Sequence, residues 1–164
     1  MYENGACAFT GHRQIPTAHK ASLPDILARA IAYAYSKGCR RFLTGGAIGF
    51  DTVAAREIIR FRLAHPDISL VLILPCLQQD ATWSASQRDS YHFTLSSADE
   101  VVYVSDDYTP SCMRKRNQQL AESCDILIAY IFRNHSGAAQ TARMAEKLGK
   151  ETYNVYHELE RTSR

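Results

Sequence analysis

The sequence lacks the cysteine and histidine patterns that mark disulfide-rich and metal-binding proteins. Its five cysteines form no CxxC pair, and their odd number leaves one without a partner in any pairing scheme. They lie within or beside apolar runs, which predicts buried thiols in a reducing compartment. The six histidines and the cysteines show no spacing typical of metal ligands, so we expect no metal site.

The chain also has little net charge and no long apolar run. A formal charge of +2 over 164 residues does not favour nucleic acid as a partner, because that inference needs basic residues gathered on one face. The nearest cluster is 114–116, which fits a solvated helix face and a ligand-facing role equally well. Neither a signal peptide nor a membrane span is predicted, so we expect a cytoplasmic protein with no membrane partner.

Several catalytic and cofactor signatures are missing. No GxSxG, HExxH or GxxxxGK[ST] motif occurs, and no residue is identified as a nucleophile. The dinucleotide fingerprint GxGxxG is broken, because Thr44 takes the place of its first glycine and the next strand closes with Leu74 and Pro75 instead of an acid. The sequence therefore predicts no NAD site and no other cofactor.

Strand-like and helix-like segments alternate along the chain. The apolar runs 69–75 and 126–132 are typical of parallel strands covered on both faces, and the amphipathic stripe within 22–37 predicts a helix that covers the sheet. No linker or repeat interrupts them. We therefore predict one domain over residues 1–164, a doubly wound, mostly parallel Rossmann-like α/β sandwich of three layers with five to six strands.

Three strand-like runs end in small-residue turns that open helices, at 11–13, 45–49 and 134–138. In an open α/β sheet such turns face one crevice, where helix N-termini offer N–H groups to an anion. Gly45 and Gly46 leave room for a phosphate, and Gly49 lets the next helix start close to the sheet. A tight turn without a ligand is the alternative. The pattern predicts a phosphate-binding crevice.

Other side chains could hold the rest of a ligand. Arg13 directly follows a buried strand, where its guanidinium suits phosphate or carboxylate, although a surface arginine is the common alternative. Ser136 either caps a helix or helps to hold phosphate. Trp83 could stack on a base while Gln79 reads its edge, and a core tryptophan is equally consistent. The same ambiguity applies to Tyr108.

A set of short motifs runs in order along nearly the whole chain: 9–13, 43–51, Pro75 with Gln79 and Trp83, 98–99, Tyr108, Met113 with Arg116 and Asn117, 123–125, and Ser136 with Gly137 and Thr141. In this combination of motifs the chain resembles the SLOG superfamily, which includes DprA and the LOG phosphoribohydrolases, and within it the YpsA/YoqJ-like proteins. The resemblance implies a Rossmann-like fold that binds a nucleotide-derived ligand at the glycine turns, often as a homodimer.

The resemblance departs from the LOG enzymes at their catalytic carboxylate. In those enzymes a Met-x-x-Arg-Lys helix precedes a PGGxGTxxE motif, and its arginine and glutamate serve N-glycosidic cleavage. Here Asn117 replaces the lysine and Thr141 the glutamate, and a hydroxyl cannot act as a carboxylate. Asp51 or Glu57 could supply one, or could be a helix cap and a surface acid. If the crevice binds a nucleotide, we expect Asp51 to support the turn or the ribose. Whether the protein is an enzyme stays open.

The sequence thus favours binding or sensing of a phosphate-bearing nucleotide or an ADP-ribose-like molecule. The alternatives are a nucleotide N-glycosidic hydrolase and a DprA-like binder of single-stranded DNA. The expected ligand-binding residues are Gly11, His12, Arg13, Thr44, Gly45, Gly46, Ala47, Gly49, Asp51, Gln79, Trp83, Tyr108, Met113, Arg116, Asn117, Ser136, Gly137 and Thr141.

Overall fold

Strands and helices alternate through residues 1–162, the part of the chain that the computed structural model describes. The strands are β1 (Gly5–Gly11), β2 (Cys39–Thr44), β3 (Ser69–Leu74), β4 (Glu100–Tyr103), β5 (Ile126–Tyr130) and β6 (Glu151–Asn154). The helices are α1 (Thr17–Lys20), α2 (Leu23–Ser36), α3 (Phe50–Ala64), α4 (Ala85–Ser97), α5 (Cys112–Ser123), α6 (Gly137–Lys147) and α7 (Tyr156–Thr162).

The six strands form one sheet in the order β4-β3-β2-β1-β5-β6, and every neighbouring pair is parallel. β1 is central, with Cys7 opposite Phe42 of β2 on one side and Ile126 of β5 on the other. The chain runs outward from β1 to β4 and then returns to β5. In such sheets the ligand crevice lies where this reversal occurs, at the carboxyl ends of β1 and β5.

Both faces of the sheet are covered, as the near-continuous apolar strands require. Cys7 and Phe9 belong to the core cluster under α2 and α3, whereas Ala6 and Ala8 belong to the cluster under α5 and α6. This alternation follows from the two-residue period of a strand. The predicted doubly wound Rossmann-like class is confirmed, with six strands.

The N-termini of α2 and α4 are capped differently. Ser22 stands at the N-cap of α2 but its side chain makes no capping hydrogen bond, whereas Ser84 and Gln87 form a full capping box at α4.

Within the described residues, no helix combines the length and the apolar character that a membrane span requires.

Candidate functional site

A crevice of about 560 Å³ opens at the reversal point of the sheet. Its walls come from the loops after β1 and β5, the first turn of α3, the inner face of α5 and the N-terminus of α6. Ten of the eighteen predicted ligand-binding residues line it: Gly11, His12, Arg13, Ala47, Asp51, Met113, Arg116, Asn117, Ser136 and Gly137. The structure therefore brings together residues from four separate stretches of the sequence.

A second cavity of about 410 Å³ adjoins the crevice, because Arg13 and Met113 line both. Gln79, Trp83 and Tyr108 lie here. The indole of Trp83 packs edge-on against Tyr91, with ring centroids 5.2 Å apart, and Tyr108 is 73% exposed. Trp83 is thus both a partly buried packing residue and part of a cavity wall.

The glycine turn after β2 does not present its amides to the crevice as expected. The N–H of Gly46 donates to Thr44 Oγ1 at 3.3 Å, and that of Ala47 donates to Asp51 Oδ2 at 3.2 Å. The protein's own oxygens thus occupy the positions predicted for a phosphate. Thr44, Gly45 and Gly46 line neither cavity, and their role here is to shape the turn.

Gly49 and Thr141 also lie outside both cavities. Gly49 has φ of +80° and its backbone passes so close to Arg13 that a Cβ would lie 2.1 Å from the Arg13 carbonyl oxygen. Thr141 is fully buried, and its hydroxyl donates to Gly137 O at 2.9 Å. Its side chain therefore stabilises the first turn of α6 and does not reach a ligand.

Arg116 and Asn117 connect the glycine turn to α6. The buried Arg116 donates from Nη1 to Gly45 O at 2.6 Å and from Nε to Asn117 Oδ1 at 3.0 Å. Asn117 Nδ2 in turn donates to Gly137 O at 3.4 Å. Burial lowers the pKa of Arg116, and the nearby Asp51 carboxylate opposes that shift. These two residues fix the relative position of the crevice walls.

Asp51 lies in the first turn of α3 and is only 6% exposed. Burial raises its pKa to about 6, although the charge of Arg116 and the backbone N–H of Ala47 both act in the opposite direction. Its Oδ1 atom is buried without a hydrogen-bond partner among the described residues. Asp51 thus lines the crevice and carries one carboxylate oxygen that has no hydrogen-bond partner among the described residues.

His12 supports the loop after β5. Its Nε2 atom accepts the N–H of Phe132 at 3.0 Å and that of Arg133 at 3.3 Å. Because Nε2 accepts, the ring is neutral and carries its proton on Nδ1. Burial lowers the pKa of His12, and the charge of Arg133 lowers it further. His12 therefore holds the crevice loop in place in addition to lining the crevice.

The crevice is electropositive. Arg13, Arg116 and Arg133 line it, and Asp51 is the one acid among its described lining residues. Ser136 Oγ accepts the N–H of Ala139 at 3.1 Å, so Ser136 caps α6, which is one of its two predicted roles. First-turn amides have no intrahelical acceptor, so those of Gly137 and Ala138 face the N-terminal end of α6, where an anion is stabilised.

Arg133 is not among the residues predicted from the sequence, yet it lines the crevice together with His135. One signal was available: Arg133 follows β5 closely, as Arg13 follows β1, and the carboxyl ends of adjacent parallel strands share an edge. The apolar pattern of the sequence predicts a strand-like run that continues to Phe132, whereas β5 ends at Tyr130. Arg133 therefore belongs to the loop and can turn toward the crevice.

Glu57 lies elsewhere. It lines a groove of about 540 Å³ between α2, α3 and α4, together with Arg13, Lys20, Arg56 and Arg60. Its buried carboxylate accepts from Arg60 Nη1 at 3.0 Å. The structure therefore does not bring Glu57 to the crevice, where a catalytic carboxylate would be needed.

Comparisons with known proteins agree with this architecture. A family model named YpsA, described as "YspA SLOG family", matches residues 10–159. The chain is 28% identical to the SPbeta prophage-derived protein YoqJ of Bacillus subtilis, over 71% of this chain and 76% of that protein. It is 32% identical to the UPF0398 protein BH1768 of Halalkalibacterium halodurans, over 73% of this chain but 62% of that protein. It thus spans less than two thirds of the latter.

One solved structure of similar fold is that of DNA processing protein A from Helicobacter pylori, whose title describes a single-stranded DNA binding mode. The TM-score is 0.64 at 20% identity, over 98% of this chain and 74% of that chain. At this identity the similarity establishes the fold alone.

Proposed function

The chain belongs to the YpsA SLOG family, and from that premise we propose that its crevice binds a phosphate-bearing nucleotide or a nucleotide-derived molecule such as ADP-ribose. One observation carries the proposal. Three arginines and the N-terminus of α6 converge on a crevice that continues into a cavity walled by Trp83.

The phosphate would bind between Arg13, Arg133 and the first turn of α6. Guanidinium groups match phosphate oxygens in pairs, and helix N-termini supply N–H donors and a favourable dipole. The glycine turn after β2 has a different role in this proposal. With its amides bound to Thr44 and Asp51, it orders Arg116 and Asp51 around the ligand.

The base would enter the adjoining cavity. Trp83 offers an aromatic edge or face there, and Gln79 offers a polar group whose Oε1 is buried without a hydrogen-bond partner in the described chain. Gln79 Nε2 donates to Gly46 O at 3.3 Å, which holds the amide in one orientation. A ligand that spans both cavities passes Arg13, so its linking phosphates would lie beside that guanidinium.

The test is direct identification of the ligand followed by a binding comparison. Mass spectrometry of small molecules released from the purified protein should detect a nucleotide, and a thermal-shift panel should confirm it. A ligand at a hundred times its Kd adds about 2.7 kcal/mol to native stability. Arg13→Ala should abolish the shift, whereas Arg88→Ala, outside both cavities, should retain it. A panel in which no phosphate-bearing nucleotide shifts the protein contradicts the proposal.

Single-stranded DNA is a second candidate ligand. The small net charge argued against nucleic acid, but the groove beside the crevice gathers Arg13, Lys20, Arg56 and Arg60, and H. pylori DprA shares the fold. A strand could follow these cations from the crevice across α3. Fluorescence anisotropy with a labelled oligonucleotide at several salt concentrations tests this, since phosphate contacts make affinity fall steeply with salt.

Two further expectations accompany the proposal. The resemblance to SLOG proteins supports a homodimer, which light scattering of the purified chain tests. N-glycosidic hydrolysis remains an alternative, and incubation with nucleotides should then release free base. The buried hydroxyl at Thr141 gives that reaction no carboxylate, so Asp51 would have to provide it.

A further inference from the structure

The unpaired oxygen of Asp51 has no explanation within the protein. Asp51 Oδ2 is held by the Ala47 amide at 3.2 Å, and the Gly45 backbone N–H also stabilises the carboxylate. Oδ1 is buried and has no hydrogen-bond partner in the part of the chain that the structure describes. Buried polar groups are nearly always hydrogen-bonded, so an exception needs an explanation such as strain, a functional role or a donor from outside the chain. Since Asp51 lines the crevice, that donor can come from a ligand.

The neighbouring arginines do not fill this role. Arg116, whose charge acts most strongly on Asp51 after burial, directs Nη1 to Gly45 O and Nε to Asn117 Oδ1. No ion pair joins Asp51 to any basic side chain within residues 1–162. The glycine turn therefore holds the carboxylate in a fixed position with one acceptor free.

The covalent order of a nucleotide identifies the donor. If phosphate lies between Arg13, Arg133 and α6, and the base lies beside Trp83, the sugar must lie between them, within the crevice. The sugar's donors are its hydroxyl groups. Resting on the proposed function, we infer that Asp51 Oδ1 accepts a hydrogen bond from a ribose hydroxyl, so that the crevice selects nucleotides that carry ribose hydroxyls.

The chemistry of the pair is matched. An ionised carboxylate only accepts hydrogen bonds, and a sugar hydroxyl is a neutral donor that leaves the arginines free for phosphate. A site that hydrogen-bonds a hydroxyl rejects the analogue lacking it, because its own polar group is then left buried and unpaired. Burial raises the pKa of Asp51 to about 6, so the carboxylate is mainly ionised at neutral pH.

Isothermal titration calorimetry at pH 7.5 tests the inference. It compares the affinities of the four ribonucleoside monophosphates with those of their 2′,3′-dideoxy counterparts. The wild-type chain should bind at least one ribonucleotide tenfold or more tightly than its dideoxy counterpart. In Asp51→Asn the amide oxygen retains the Ala47 bond, but an NH₂ group that cannot accept replaces Oδ1. The ratio of affinities should therefore fall to about one. Analogues that lack only the 2′- or only the 3′-hydroxyl then identify which hydroxyl donates to Asp51.

Asp107→Asn, the same change on an exposed loop, is the matched control and should keep the wild-type ratio. Equal affinity of the wild-type chain for ribonucleotides and dideoxynucleotides would overturn the inference while leaving the proposed function standing. Discrimination that persists in Asp51→Asn would also overturn it, since another group would then read the sugar. Absence of binding by every monophosphate and by ADP-ribose to a folded protein would refute both.

Discussion

Gly45 and Arg116 are in direct contact because Gly45 has no side chain. Arg116 Nη1 donates to Gly45 O at 2.6 Å, and a Cβ on Gly45 would lie 2.3 Å from the same nitrogen. The guanidinium thus occupies the volume that a side chain at position 45 would fill. This glycine therefore makes room for a charged group of the protein itself, and not for a phosphate as its turn pattern predicts.

Gly45→Ala should displace Arg116 from its pocket. The variant loses a buried, charge-assisted hydrogen bond, so we expect the free energy of unfolding to fall by about 2 kcal/mol. Ligand affinity should fall as well, because Arg116 and Asn117 position the crevice walls. Gly137→Ala is the control, since its nearest atom would lie 3.4 Å away, an ordinary contact. Chemical denaturation measures the free energy of unfolding of the two variants. Equal stability of the two would contradict the packing argument.

Asp51 should make stability depend on pH in an unusual direction. Its pKa is raised from 3.8 to about 6 in the folded chain, so protonation favours folding. This contribution is fully present below about pH 3.8 and is lost as pH rises through about 6. The rise of the pKa from 3.8 to about 6 corresponds to about 3 kcal/mol in full. The unfolding free energy of the wild-type chain, relative to that of Asp51→Asn, should therefore be higher at pH 4 than at pH 7 by about 2 kcal/mol, since part of the effect lies below pH 4.

Urea denaturation of both proteins across that pH range measures the difference. Comparison with Asp51→Asn cancels the contributions of other titrating groups. A difference that stays constant from pH 4 to pH 7 would show that Asp51 ionises as freely in the folded chain as in the unfolded one.

His12 should remain neutral in the folded chain to a lower pH than an ordinary histidine. Its pKa is lowered from 6.5 by burial and by Arg133, so its contribution to stability is present above pH 6.5 and is lost as pH falls through the lowered pKa. The ring should be the Nδ1-H tautomer, since Nε2 accepts two amides. Nitrogen NMR of the imidazoles checks both points, and a protonated His12 at pH 6.5 would disprove them.

Arg133 should contribute to anion affinity without contributing much to stability. It is exposed, lies in the crevice wall and contacts Phe132 through its guanidinium, which is 5.2 Å from the ring centroid. Arg133→Ala should weaken nucleotide binding about tenfold, the effect of losing one charge-assisted contact. The affinity that remains should depend less on salt than in the wild-type chain. Arg88→Ala removes an equal charge elsewhere and should leave both properties unchanged.

Much of this fold follows from local patterns. The run 69–75 is apolar throughout because β3 is covered on both faces, and the run that became β5 could be identified for the same reason. Turn residues are less informative, since Gly11 accommodates the Phe50 ring and Gly49 accommodates the Arg13 backbone. A glycine pattern shows that something comes close to the backbone, but it does not distinguish a ligand from the protein's own side chains.

By itself the sequence determined the alternation of strands and helices, the parallel sheet and the edge at which the small-residue turns meet, because periodicity and turn chemistry act over a few residues. Only the tertiary structure decided which charges meet. It placed Arg116 against the glycine turn, brought Arg133 and Arg13 to the wall of one crevice, and gathered the cations of the groove from three elements despite a net charge of +2. Electrostatic fields and burial depend on distances in space, which the order of residues along the chain does not contain.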